Sequence, residues 1–277
     1  MNFANLIVTA DDLGYNNAID KASLELSQTV VNRVAIFTNF YNLSNISYLE
    51  KFINKDRIGI HFNLTSGKCL NKKIQNTSLI DKYGLFIEPK NYDSYTNIEQ
   101  CLENYIQKHV NELSLTDIKE ELLTQLNKYK KAIGIPSFIT FHHDIDRSEI
   151  ILKALYSISH LKSRVGLVEN NIIGNVYYTF LSENDTLQSS IIKVKSLIKK
   201  ALLRSSSLNG KIVELVIHPA LNDDELKIFT IYSKQRVLEY LAWKSEEIQN
   251  IFKFGNLENN IWKFNSLSLV LEKAFND

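Results

Sequence analysis

Six polar side chains stand at or near the ends of apolar runs in this sequence. Asp11 and Asp12 follow Leu6–Ala10, and His61 lies within Ile58–Leu64. His142 and His143 close Ser137–His142, and His218 closes Ile212–Ile217. Imidazoles mixed with a carboxylate suit a divalent metal that keeps open positions for water and substrate. Such a metal polarises a carbonyl and lowers the pKa of its water. A second carboxylate can then act as general base, and a histidine can protonate a departing amine. Amide hydrolysis needs all three functions. Each residue also has a purely structural explanation. Asp11 and Asp12 could cap a helix, His61 could be a core histidine, and His218-Pro219 could be a plain strand end. On a strand, His142 and His143 point to opposite faces, so at most one readily serves a site. His109 and His160 lie in helical stretches and read as structural or surface residues.

The elements that must position these groups alternate. Leu6–Ala10, Val30–Phe37 and Ile58–Leu64 read as strands, separated by helical patterns over Asn16–Leu26 and Leu43–Phe52. That rhythm indicates βα units and a parallel sheet. Thr65 to about Gln100 reads as irregular, and a loop of that length is usually a functional lid or binding loop. Its Tyr83, Phe86 and Tyr92 could stack on a bound ring, or could equally just pin the loop. Two helical stretches follow, up to Lys131. Ser137–His142 is a strand, Ser148–Leu161 a helix, Arg164–Val168 a strand, Leu187–Leu203 a helix and Ile212–Ile217 a strand. Helices around Ser233–Phe252 and Leu267–Ala274 end the chain. The rhythm continues throughout, so residues 1–277 are expected to form a single domain. In α/β barrels the carboxyl ends of parallel strands converge on one face, where active sites are built. Four strands would there deliver two acids and up to four histidines to one place, a coincidence that separate structural accidents do not explain.

Composition narrows the partners. The chain has 277 residues, 44% hydrophobic and 23% charged, ordinary for a globular protein. Its 32 basic and 31 acidic residues leave a net charge of +1, which gives no reason to expect nucleic acid or an anionic membrane as partner. No apolar segment is long enough for a membrane span. The opening residues run from a short apolar stretch straight into two acids and read as a first strand, not a signal peptide. Cys69 and Cys101 are the only cysteines, which implies no disulfide framework and fits a reducing, cytoplasmic compartment. A homodimer is compatible with all of this.

Four segments resemble the YdjC-like carbohydrate deacetylase family, which includes chitooligosaccharide deacetylases and a hopanoid-linked N-acetylglucosamine deacetylase. Val8-Thr9-Ala10-Asp11-Asp12-Leu13-Gly14 is similar to the family's opening strand and Asp-Asp-aromatic-Gly turn. Gly59-Ile60-His61-Phe62-Asn63-Leu64-Thr65-Ser66-Gly67 resembles its Gly-Leu-His-Leu-Asn-Leu-Thr-x-Gly segment. Pro136–Asp146 resembles its histidine-rich strand, and Glu214-Leu215-Val216-Ile217-His218-Pro219 its Glu-Leu-x-x-His-Pro segment. Arg236-x-x-Glu239-x-Leu241 also fits. The resemblance implies an α/β fold, a distorted (β/α) barrel with parallel strands. It implies one divalent metal, magnesium as usually given, with zinc or another divalent ion as the alternative. Carried over by position, Asp12, His61 and His142 would be the metal ligands, Asp11 the general base and His218 the general acid. The substrate would be an N-acetylated sugar or oligosaccharide, and the products acetate and an amine. The sequence departs from the pattern at Thr140-Phe141-His142-His143-Asp144-Ile145-Asp146, where the family usually reads Asp-Ser-His-x-His-x-His.

Three other readings compete. A metal-dependent amidase or esterase acting on a non-sugar substrate would share fold and metal. A glycosidase using Asp11 or Asp12 with Glu214 would need no metal and would leave the strand-end histidines unexplained. A sugar-binding protein that has lost activity would account for the altered 140–146 segment.

Overall fold

A computed structural model describes residues 2–40, 49, 51–74, 77–88, 98–169, 172–230 and 232–275. The helix expected over Leu43–Phe52 falls largely outside them. The fold is mixed α/β on a parallel-rich, half-barrel sheet, as the barrel expectation requires. The strands are β1 (Ala4–Leu13), β2 (Arg33–Ile36), β3 (Ile58–Phe62), β4 (Ile139–Phe141), β5 (Ile173–Tyr178), β6 (Ile212–Ile217), β7 (Asn256–Glu258) and β8 (Ile261–Phe264). Their order is β4-β3-β2-β1-β6-β5, with β8 on β1 and β7 on β8. The chain divides into two compact units, Met1–Val34 with Tyr48–Arg57 and Val168–Asp277, and Ala35–Ser47 with Ile58–Leu167.

In the first unit β1 and β6 run parallel, pairing from Asn5 with Ile212 to Ala10 with Ile217. Their β-branched runs are buried, as a covered parallel sheet demands. β5 extends the parallel ladder, with Tyr178 beside Val216. Helix α1 (Asn17–Leu26) is capped by the Asn16 side chain, which accepts the Ile19 N–H. The long helix after β5, Leu187–Ser207, starts in a Thr186/Ser189 capping box. It buries Ile191, Val194, Ile198, Ala201 and Leu202, spaced to form one face against the sheet. The β7–β8 hairpin turns on Asn259 and Asn260, whose φ angles of 51° and 60° suit a two-residue turn.

In the second unit β3 and β4 are parallel, with Ile60 beside Ile139 and Phe62 beside Phe141. Helix Leu115–Ala132, capped by Ser114, is tied to β3. Tyr129 donates to the Ile58 carbonyl at 2.8 Å, and the Gln125 side chain donates to the Asn63 carbonyl and accepts its N–H. Residues 65–74 and 77–88 are more ordered than an irregular loop. Bridges join Lys68 to Leu85 and Ile80 to Phe86. The buried Glu121 carboxylate accepts the Leu70 and Asn71 N–H groups and the Cys69 thiol. Phe86 is buried and Tyr83 exposed, while Tyr92 lies outside the described residues.

Residues 164–168, expected as a strand, form a short helix, Arg164–Glu169. Ser163 starts it: its hydroxyl accepts the Gly166 N–H and its carbonyl the Leu167 N–H. The strand lies further on, as β5. Among the described residues no helix is long and apolar enough to cross a membrane.

Candidate functional site

Asp11 and Asp12 lie at the C-terminal end of β1, both buried. They do not cap α1, because Asn16 does. Asp12 has a φ of 68°, a left-handed conformation that costs a residue with a Cβ roughly 1–2 kcal/mol. The chain turns at once through Gly14, at φ 91°, whose N–H donates to the Asp20 carboxylate at 2.5 Å. Two observations show what holds this strained turn. Asp20 grips it from α1, and Arg236 donates to Asp12 Oδ2 at 2.5 Å.

Arg236 comes from helix Ser233–Lys244, which also buries Gln235 and Glu239. Glu239 lies one turn beyond Arg236, and burial pushes its carboxyl up to about 8, against the lowering pull of the His218 main-chain N–H, the Arg236 charge and the Thr179 hydroxyl. Neither Glu239 oxygen is in full hydrogen-bond geometry with these groups, so their pull is electrostatic proximity. His218 is half-buried one residue past the end of β6. Within that strand Glu214 accepts the Thr9 hydroxyl at 2.6 Å in a buried bond. Thr9 and Glu214 therefore share a sheet face, and alternation places Asp11 and His218 on that same face.

In the second unit His61 sits within β3. Its Nδ1 lies 2.6 Å from the buried Thr140 hydroxyl on β4. A bond at Nδ1 fixes the ring and leaves Nε2 as the nitrogen that could take a metal, since an outer group commonly orients a metal-binding imidazole in this way. β4 stops at Phe141, and the chain enters a 3-10 turn in which His143 and Asp144 take φ of 59° and 46°. That turn overturns the expectation that His142 and His143 must point apart. Their rings stack with centroids 3.8 Å apart, and His143 Nδ1 lies 2.9 Å from the Thr65 hydroxyl. The His61 and His142 rings are 5.5 Å apart, and Phe37 packs against both, at 4.7 and 5.1 Å. Asn63 shapes the next turn, its side-chain oxygen accepting the Thr65 and Ser66 N–H groups.

The two later family histidines are Asp144 and Asp146 here. Both are turned toward structural partners. Asp144 lies 3.8 Å from Arg164 and 3.5 Å from Arg147. Asp146 is buried, and desolvation, then the Asp144 charge, pushes its carboxyl up to about 7.

One ligand atom each from Asp12, His61 and His142 lies within 4.8 Å of the others. Two imidazoles and one carboxylate form a donor set suited to one divalent ion with open positions. Asp11 and His218 are not in that group. Sequence reasoning gave no role to Arg236 or Thr140, although both hold ligand candidates. The helical i, i+3 spacing of Arg236 and Glu239, with both charges on a buried face, was the available signal.

Fold and residue set together define an α/β protein with a histidine- and aspartate-lined strand-end site. The chain belongs to the YdjC-like protein family, whose model matches residues 5–253. Carbohydrate deacetylase of Clostridium beijerinckii is 22% identical over 256 residues, covering 91% of this chain and 96% of that protein. Chitooligosaccharide deacetylase of Yersinia enterocolitica is 25% identical over 268 residues, covering 86% and 96%. A crystal structure from Enterococcus faecalis V583, described as a cellobiose-phosphate cleavage protein, superposes with a TM-score of 0.64. It is 17% identical over 88% of this chain and 92% of that one.

Proposed function

We propose that this protein is a metal-dependent carbohydrate N-deacetylase. The convergence of Asp12, His61 and His142 carries the reading, and the deacetylases among its relatives supply the substrate class. Asp12, His61 and His142 would hold the ion, magnesium by family resemblance, with zinc also suited to two imidazoles. Such an ion, when bound, polarises the acetyl carbonyl and acidifies water.

The chain's own residues complete the reaction. Asp11 takes a proton from the attacking water, whose oxygen bonds to the acetyl carbon. The C–N bond breaks as His218, protonated, gives its proton to the departing nitrogen. Acetate and a free amino sugar leave. Arg236 holds the Asp12 carboxylate in place. Cys69 and Cys101, which form no disulfide, suit a cytoplasmic setting.

The test is acetate release from a panel of N-acetylated mono- and oligosaccharides, with and without chelator. Release that chelator abolishes and a divalent ion restores is the expected result. Release unaffected by chelator would refute the metal. Release from simple amides alone would move the substrate to the non-sugar amides.

A further inference from the structure

Two aromatic rings stand at the end of β5, the strand paired with β6, which leads to His218. Phe180 is 57% exposed, and its ring stacks on Tyr178 with centroids 5.8 Å apart and planes 25° from parallel. The orientation follows from register. Tyr178 pairs with Val216, and the Thr179 N–H donates to the Val216 carbonyl. Phe180 and His218 each follow that pair by two residues, Phe180 past the end of β5 and His218 past the end of β6. Thr179 is buried and Tyr177 lies under Lys200 of the 187–207 helix, 4.6 Å from the ring centroid. Alternation turns Tyr178 and Phe180 to the opposite face, the one that carries Asp11 and His218. The backbone there is fixed. Tyr232 accepts the Leu181 N–H at 3.1 Å and donates to its carbonyl at 3.2 Å. An exposed ring on a pinned backbone loses little freedom when it binds.

We propose that Phe180, backed by Tyr178, is a stacking platform for the pyranose ring whose nitrogen leaves. The inference rests on the deacetylase reading. His218 must approach that nitrogen within hydrogen-bond reach, and adjacent strands are only about 4.8 Å apart. The sugar carrying the nitrogen therefore falls over the strand next to His218. A pyranose presents a face of C–H groups, which matches the negative face of an aromatic ring.

The experiment measures binding of di-N-acetylchitobiose and a panel of N-acetylated monosaccharides to the full chain, stripped of metal so that no turnover occurs. Calorimetry compares the natural protein with Phe180→Ala, Phe180→Tyr and Phe180→Trp. Alanine should weaken binding about tenfold, in line with the loss of one aromatic stacking contact, while tyrosine and tryptophan should stay within about threefold. With metal restored, Phe180→Ala should raise KM for the N-acetylated sugar and lower kcat far less. Equal binding by the natural protein and Phe180→Ala overturns the platform and leaves the deacetylase reading intact. A natural protein that binds no N-acetylated sugar, and releases no acetate from one, overturns both.

Discussion

Replacing Asp20 with Asn isolates the group that grips the Asp12 turn. Asp20 accepts the Gly14 N–H from α1, and burial pushes its carboxyl up to about 7 from an ordinary 3.8, opposed by that hydrogen bond. The sign follows from linkage. A carboxyl raised in the folded state favours the protonated form, so its stabilising effect is complete below pH 3.8 and is lost as pH climbs to about 7. Between those values the full interval is worth about 4 kcal/mol. Asp20 keeps partial solvent contact, which screens its charge, so about 2 kcal/mol is the expected loss at pH 8. Asn retains an oxygen for Gly14 and cannot ionise. Asp20→Asn should therefore match the natural protein near pH 4 and exceed it by about 2 kcal/mol at pH 8. Urea unfolding at half-unit pH steps reads the difference, with metal absent throughout. Identical pH slopes for the two proteins would refute a buried, strained carboxylate at Asp20.

Other outcomes follow from the site. His61→Ala should fold and lose bound metal by elemental analysis, and undiminished metal content would remove His61 from the ligand set. Asp11→Asn and His218→Ala should keep metal and lose about 10²–10⁴-fold in turnover. His218→Ala should slow an activated ester far less than the amide, and equal slowing would mean that His218 does not protonate a leaving group. Arg236→Met should leave Asp12 buried without its cation and destabilise the metal-free protein by about 3–5 kcal/mol. Chemical denaturation checks it, and a loss below 1 kcal/mol on the same scale would mean that the pair is solvated.

The parts of this fold that announce themselves are those in which one physical rule dominates. Leu6–Ala10 and Ile212–Ile217 are apolar but for Thr9 and Glu214, so they read as buried parallel strands, and the acid and imidazole at their ends stand out. Arg164–Val168 misleads because its two valines suggest a strand, while a single serine side chain ahead of it starts a helix. β5 hides because Gly174 and Asn175 sit where its register shifts, which breaks the alternation that would reveal it. The β7–β8 hairpin is hard to read because its turn, Asn259-Asn260, lacks the glycine that usually marks one. Within the site, ligand candidates are legible because each lies in or just past the C-terminal part of a strand. Their supports were not, because Arg236 and Thr140 reach their partners across 224 and 79 residues of chain. The stacked His142 and His143 depend on two left-handed residues that no periodicity encodes.

The backbone and side chain of Asp12 make separate demands on one position. A φ of 68° favours Gly or Asn, while the buried Arg236 guanidinium requires a full negative charge. Glycine relaxes the dihedral and strands the cation. Asparagine tolerates the dihedral but brings a neutral amide where the guanidinium needs a charge. Glutamate has the charge but a longer arm. Saturation mutagenesis scored for folding alone, with no metal or substrate in the assay, should already find this site intolerant. Sensitivity to mutation at Asp12 is thus overdetermined, and a dead variant there says less about catalysis than an equally dead variant at Asp11 or His218.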